Sequence, residues 1–197
     1  GKTTTLKLFL NFIRPTSGQA LIDGRDSVRQ SLEAKRFISY ISENVMLYED
    51  LSARENLEFF ARLNGKNPPK ETYYNLMRSV GLKETDFEKR VKYFSKGMRQ
   101  KVGLACVLQK DTPNILMDEP TTGLDPKSAA ELMDTLLLLK QKGKSILLCT
   151  HDLFRARIAD RIGIMKEGRM VMLRPREEFI HEDIERIYLD YMQEVPL

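Results

Sequence analysis

The stretch Asn114-Ile115-Leu116-Met117-Asp118-Glu119-Pro120-Thr121-Thr122-Gly123-Leu124-Asp125-Pro126 decides the reading of this chain. Its first half is a short apolar run closed by two adjacent acids, the pattern of a buried strand. A strand that delivers an acid at its C-terminal end places that acid at the sheet edge where ligands bind. Asp118 there can hold Mg2+, and Glu119, one residue on, can polarise a water for attack on a phosphate. A strand that merely ends in polar residues accounts poorly for two acids followed by the Pro-Thr-Thr-Gly-Leu-Asp-Pro run.

Downstream, residues 127–142 have helical periodicity and are closed by Gly143, and SILLCTH (145–151) reads as a second buried strand. FRARIAD (154–160) reads as helix, RIGIMKEGRMVML (161–173) as a hairpin turning at Glu167-Gly168, and the tail from 176 as a charged amphipathic helix. Upstream, residues 2–12 are helical by pattern, QALIDG (19–24) is a short strand running into a turn, a helix is expected near 29–35, and FISYIS (37–42) is a compact strand. From Ser52 a capping box with Glu55 opens a helix, Asn67-Pro68-Pro69 breaks the pattern, and another helix runs over 70–80 to Gly81. FSKGMRQKVGLACVLQ (94–109) is a loop leading into an amphipathic helix. Strands alternating with helices imply an α/β fold around a largely parallel sheet, and the mostly helical stretch 44–103 reads as a lobe inserted between sheet strands.

Three further motifs bear on chemistry. Gly1-Lys2-Thr3-Thr4 opens a helix, whose N-terminus can aim backbone N–H groups, a lysine charge and a hydroxyl at a phosphate and its Mg2+. Only the end of a G-x-x-x-x-G-K-[ST] loop is present, and by itself the triplet fits an ordinary exposed helix start equally well. Phe94-Ser95-Lys96-Gly97-Met98-Arg99-Gln100 begins another helix and offers a second anion site, although a Ser N-cap with a Gly turn would look the same. His151 ends a strand that should lie beside the Asp118 strand, within reach of a terminal phosphate; a lone histidine after a strand is more often structural. His181 is given no role.

Composition sets the bounds. The chain has 197 residues, 42% hydrophobic and 30% charged, enough for one domain of one or two lobes. The net charge of +4 comes from interspersed signs, so a solvated surface is expected and no nucleic-acid partner. Cys106 and Cys149 lie in apolar runs and carry no metal spacing, as expected in a reducing compartment. No run approaches the roughly 20 apolar residues of a membrane-spanning helix, so a membrane role must come through a partner.

Taken in order, GKTT, FSKGMRQ, ILMDEPTTGLDP and LLCTHD make the chain similar to the nucleotide-binding domain of ABC transporters over residues 1 to about 173. The wording YFSKGMRQK, preceded by LYEDLSARENLEFFARL, looks most like ATPase subunits of the ABC-2 export type. The resemblance implies a P-loop NTPase (RecA-like) α/β fold: a core over 1–43 and 104–173, a helical subdomain with the signature motif over 44–103, and a helical tail over 174–197.

It also implies ATP and Mg2+ as ligands. Gly1, Lys2, Thr3 and Thr4 would hold the nucleotide, with Lys2 on the β/γ-phosphates and Thr3 on Mg2+. Asp118 would support Mg2+, Glu119 would be the general base, and His151 would hold the γ-phosphate. Ser95, Gly97 and Gln100 would serve the nucleotide of an opposing subunit, and Asp125 would link the halves of a homodimer or heterodimer. Integral membrane permease subunits are the implied partners, at the cytoplasmic face of the membrane.

Two departures stand out: Lys96 and Met98 in the signature motif, usually Leu-Ser-Gly-Gly-Gln, and Glu43 where the family usually has Gln, a further candidate metal ligand. The strand feeding the phosphate loop, the loop's first glycines and an adenine-stacking aromatic are expected upstream of Gly1, and residues 1–197 alone are expected to bind ATP poorly. The competing readings are an ABC ATPase working on the ribosome or in DNA repair, usually with tandem domains or a long coiled coil, and a nucleotide-binding regulatory module that does not hydrolyse.

Overall fold

The computed structural model describes residues 1–179 and 182–193, so His181 lies outside the described residues. The elements run α1 (Lys2–Phe9), β1 (Leu21–Ile22), β2 (Arg25–Asp26), α2 (Ser31–Arg36), β3 (Ile38–Ile41), α3 (Ala53–Leu63), α4 (Lys70–Ser79), α5 (Lys96–Lys110), β4 (Asn114–Asp118), α6 (Pro126–Gln141), β5 (Ser145–Cys149), α7 (Leu153–Ala156), β6 (Arg161–Lys166), β7 (Arg169–Pro175) and α8 (Ile184–Met192). Strands β3, β4 and β5 form a parallel sheet in that order, with Ile38 opposite Asn114 and Asp118 opposite Cys149. The remaining strands form two antiparallel hairpins, β1-β2 and β6-β7. Both turn on a non-glycine and a glycine at positive φ, Asp23-Gly24 and Glu167-Gly168. That geometry matches the right-handed twist of the flanking strands.

Side-chain alternation along β4 divides the core. Ile115 and Met117 face a large apolar cluster with α3, α4, α5 and α6. Leu116 faces the other way, into a smaller cluster with Leu6 of α1, Leu10 just after it, Ile22, Ile38 and Cys149. Asp118 has the parity of Leu116 and therefore emerges on the α1 side, which is what brings it to the start of that helix.

The helical stretch is held by specific local chemistry. Ser52 and Glu55 close a reciprocal capping box at the start of α3. Asn56, fully buried one residue further on, accepts from the Tyr48 N–H at 2.8 Å and donates to the carbonyls of Tyr48 and Ser52 at 3.0 and 2.9 Å. One side chain thereby pairs the Tyr48 N–H, whose partner it is, and adds a second donor to two carbonyls that also accept backbone N–H groups. Helix α5 is continuous across residues 103 and 104, and the larger cluster joins the helical stretch to the sheet in one core.

Strand β5 is less buried in residues 1–197 than the buried strand expected: Ser145 and Leu147 are exposed, Leu147 to 40%, although Leu147 sits beside Leu116. Ile146 and Leu148 pack in part on the larger cluster, and Cys149 at the strand's end is packed under α1. The tail differs from one amphipathic helix as well: a 3-10 turn over Arg176–Phe179 precedes α8, with Phe179 and Ile184 packed on the β6-β7 hairpin. No helix among the described residues is long and apolar enough to cross a membrane.

Candidate functional site

The start of α1, the end of β4 and the end of β5 converge. Gly1 is the N-cap of α1 and supplies no side-chain cap, and the first turn holds no acid. Its leading N–H groups and helix dipole are therefore presented without an internal counter-charge, as an anion site requires. Thr3 Oγ1 donates to Asp118 Oδ1 at 3.1 Å, joining the hydroxyl of α1 to the acid of β4. Asp118 is buried between Tyr40 on β3 and Cys149 on β5. Burial first, and then the Asp118 charge, push the Tyr40 hydroxyl up and the Cys149 thiol up to about 11.

Glu119 stands at the centre. Its backbone is left-handed, at φ 47°, and its N–H donates to the Cys149 carbonyl at 2.8 Å. That conformation costs a residue with a Cβ about 1 kcal/mol, and such strain gathers at working sites. It turns the carboxylate back over the strand end. Oε1 lies 3.9 Å from Lys2 Nζ, while Oε2 lies 2.8 Å from His151 Nδ1 and accepts from the His151 N–H at 3.2 Å. Thr122 Oγ1 approaches the same oxygen at 3.5 Å. His151 itself is held by the turn that caps α7: the Asp152 carboxylate accepts from the Arg155 N–H at 3.0 Å. Burial pushes the Asp152 carboxyl up, but that N–H and the paired guanidinium hold it below its usual range.

Lys2, Thr3, Asp118, Glu119 and His151 are thus gathered in one place, with Thr4 exposed on the same first turn of α1. The donor chemistry fits Mg2+, a hard cation that takes a hydroxyl and a carboxylate and otherwise fills its shell from waters and substrate phosphates. Among the described residues no group of three or more His, Cys, Asp or Glu side chains could hold a metal alone. Glu43 makes no hydrogen bond or ion pair with these residues: its carboxylate pairs with Lys96 Nζ at 3.9 Å.

The signature residues form a separate surface at the start of α5. Ser95 is the exposed N-cap, its hydroxyl accepting from the Met98 N–H at 3.3 Å. A Cβ at Gly97 would lie 3.2 Å from Ser128 Oγ, so glycine lets α5 sit against α6. Gln100 is buried and its amide donates to the Pro120 carbonyl at 3.0 Å, strapping α5 to the turn that follows Glu119. Asp125 caps α6, accepting from the Ser128 hydroxyl and N–H, which hold its carboxyl below the usual range.

Sequence reasoning did not find the left-handed Glu119 backbone, the Gln100 strap or the Lys96–Glu43 pair. For Glu119 no local signal existed, since the proline that follows favours extended backbone rather than the positive φ found. The other two join residues distant in the chain and leave no local mark.

Comparison with known proteins places this geometry. The family model described as ABC transporter matches residues 1–122. The ABC transporter ATP-binding protein NatA of Bacillus subtilis (strain 168) is 35% identical, over 98% of this chain and 79% of its own length. The daunorubicin resistance ATP-binding protein DrrA3 of Streptomyces coeruleorubidus is 34% identical, over 87% of this chain and 55% of its own length. The chain spans about half the length of several curated relatives it matches. Among solved structures, the dimeric post-hydrolysis ATP-binding cassette MJ0796 bound to ADP and Pi superposes with a TM-score of 0.80 at 26% identity, covering 89% of this chain and 81% of that one. By these matches the chain belongs to the ABC transporter family as an ATP-binding domain.

Proposed function

We propose that the chain is the ATP-binding and ATP-hydrolysing part of an ABC transporter, powering transport through separate membrane permease subunits, with export the favoured direction. The observation that carries the reading is the position of Glu119 between Lys2 and His151, one residue beyond an Asp118 already bonded to Thr3. The N–H groups opening α1 and the Lys2 ammonium hold and orient the nucleotide phosphates. Thr3 and Asp118 hold Mg2+, which when bound neutralises phosphate charge and polarises the bond to be broken. Glu119 accepts a proton from a water as that water attacks the terminal phosphate. His151 fixes the Glu119 carboxylate and lies where it can hydrogen-bond the same phosphate group. The buried Asp118 and Cys149, with the half-buried Tyr40 beside them, keep bulk water from the lower side of the site.

The exposed Ser95 and the half-buried Gly97 at the start of α5 serve the nucleotide of a second copy or of a close relative, across an interface that Asp125 borders. A relative described as dimeric after hydrolysis, with ADP and Pi bound, supports this arrangement. A drug-resistance ATP-binding protein among the relatives supports export. In this reading residues 1–43 and 104–173 form the catalytic core, 44–103 the lobe that carries the signature, and the whole docks at the cytoplasmic face of a membrane. The test is Mg-ATP hydrolysis by the full-length protein and its Lys2→Ala variant. Loss of both binding and turnover in Lys2→Ala is expected, and unchanged hydrolysis would sink the assignment.

A further inference from the structure

The loop leaving β3 and the segment entering α5 are zipped together by charge. Residues 43–50 carry the acids Glu43, Glu49 and Asp50, and residues 92–99 carry the bases Lys92, Lys96 and Arg99. They meet one to one: Lys96 with Glu43 at 3.9 Å, Arg99 with Glu49 at 2.8 Å and Lys92 with Asp50 at 2.9 Å. Backbone bonds reinforce the seam, from the Lys92 N–H to the Glu49 carbonyl and from the Val91 N–H to the Leu51 carbonyl, each 3.0 Å. Val45 is pressed on α5 at Gly103, where a Cβ would lie 2.7 Å from Val45 Cγ1.

The Arg99 and Lys92 pairs involve acids exposed to 62% and 83%, where water screens the attraction. Lys96 differs in what else it touches. Its stem lies across Gly123, whose added Cβ would meet Lys96 Cδ and Nζ at 3.2 Å. One side chain therefore bridges the loop holding Glu43, the start of α5 and the turn between Glu119 and Asp125. A glycine at Gly123, at φ 72°, both makes that turn and leaves room for the lysine.

We propose that Lys96 is a positioning residue for hydrolysis. Through its charge on Glu43 and its stem on Gly123 it ties the signature start of α5 to the two loops that flank Glu119, so that the three shift together. The proposal rests on the reading of Glu119 as the hydrolytic base, and it accounts for the two departures from the family pattern as one matched pair.

The experiment is steady-state Mg-ATP hydrolysis by the full-length protein with Lys96→Glu, Glu43→Lys, the double swap, Lys96→Arg and Glu119→Gln. Each charge reversal is expected to lower kcat about fivefold, about 1 kcal/mol at about 1.36 kcal/mol per tenfold, with KM within about twofold. The double swap and Lys96→Arg are expected to return kcat to within about twofold of wild type. Should a reversal fail to fold, the neutral set Lys96→Gln, Glu43→Gln and their double, which should be no slower than either single, reads the same coupling. Unchanged kcat in the single variants, a swap slower than both, or a rise in KM that the swap does not rescue would overturn the proposal. Glu119→Gln separates the two claims: its continued turnover sinks the hydrolytic reading, whereas a dead Glu119→Gln beside an unrescued swap sinks only the role of Lys96.

Discussion

His151 Nδ1 lies 2.8 Å from Glu119 Oε2, and the His151 N–H donates to that same oxygen at 3.2 Å. The histidine holds the carboxylate by both its ring and its backbone, while its side chain is 71% exposed and the glutamate only 16%. Removing the ring leaves the backbone bond, so the carboxylate keeps its place but loses one of its two holds. His151→Ala is expected to lower single-turnover hydrolysis by about a hundredfold, with ATP affinity within a few-fold. Equal loss of affinity and turnover would place His151 in binding alone.

Gly103 is where Val45 enters α5. Gly103→Val would force backbone and side chain apart, and overpacking of this kind costs about 1–3 kcal/mol. Denaturant unfolding should show that loss, and Val45→Ala in the same chain should recover part of it. A stable Gly103→Val single variant would mean the loop does not need this contact.

Asn56 satisfies the Tyr48 N–H and carbonyl from a fully buried position. Truncation leaves the Tyr48 N–H without its partner, at about 1–3 kcal/mol, while the Tyr48 carbonyl keeps the Leu51 N–H at 3.1 Å. Asn56→Ala should lower stability by that amount and raise amide exchange at Tyr48. Unchanged exchange would show that the loop is held by other contacts.

Asp26, Glu55 and Asp125 are carboxylates held below their usual range by hydrogen-bond donors: Asp26 by the Arg29 and Val28 N–H groups, Glu55 by the Ser52 N–H, and Asp125 by the Ser128 hydroxyl and N–H. A carboxyl whose folded pKa is below its unfolded value stabilises the fold above the unfolded pKa, near 4. That stability is lost as pH falls through the folded value. Asp125→Ala should therefore lower the melting temperature at pH 7, and the gap to wild type should narrow on acidification below about pH 4. A gap that widens with acid would contradict the cause assigned to the shift.

Much of this was legible in the residues because its signals are local. The Asn114–Asp118 strand announced itself by an apolar run ending in acids, α3 by Ser52 and Glu55, and the last hairpin by Glu167-Gly168. Strand β5 reads from SILLC as a core strand, and the exposure of Ser145 and Leu147 in residues 1–197 leaves no local mark in that run. In the site, the convergence of Thr3 with Asp118 depends on side-chain parity along β4, and the strained backbone of Glu119 on its bond to Cys149. Neither the Gln100 strap nor the Lys96 bridge could be read from spacing, because each joins segments brought together only by the fold.

The central claim is that Glu119 is the base of an ATP-hydrolysing site built with Lys2, Thr3, Asp118 and His151. Its most direct test is nucleotide turnover and retention by the full-length protein and its Glu119→Gln variant, with mass measured by light scattering in Mg-ATP. The account expects wild type to release ADP and phosphate, and Glu119→Gln to lose turnover by at least about a hundredfold while retaining ATP in a particle of doubled ATPase content. Turnover by Glu119→Gln at the wild-type rate would contradict it.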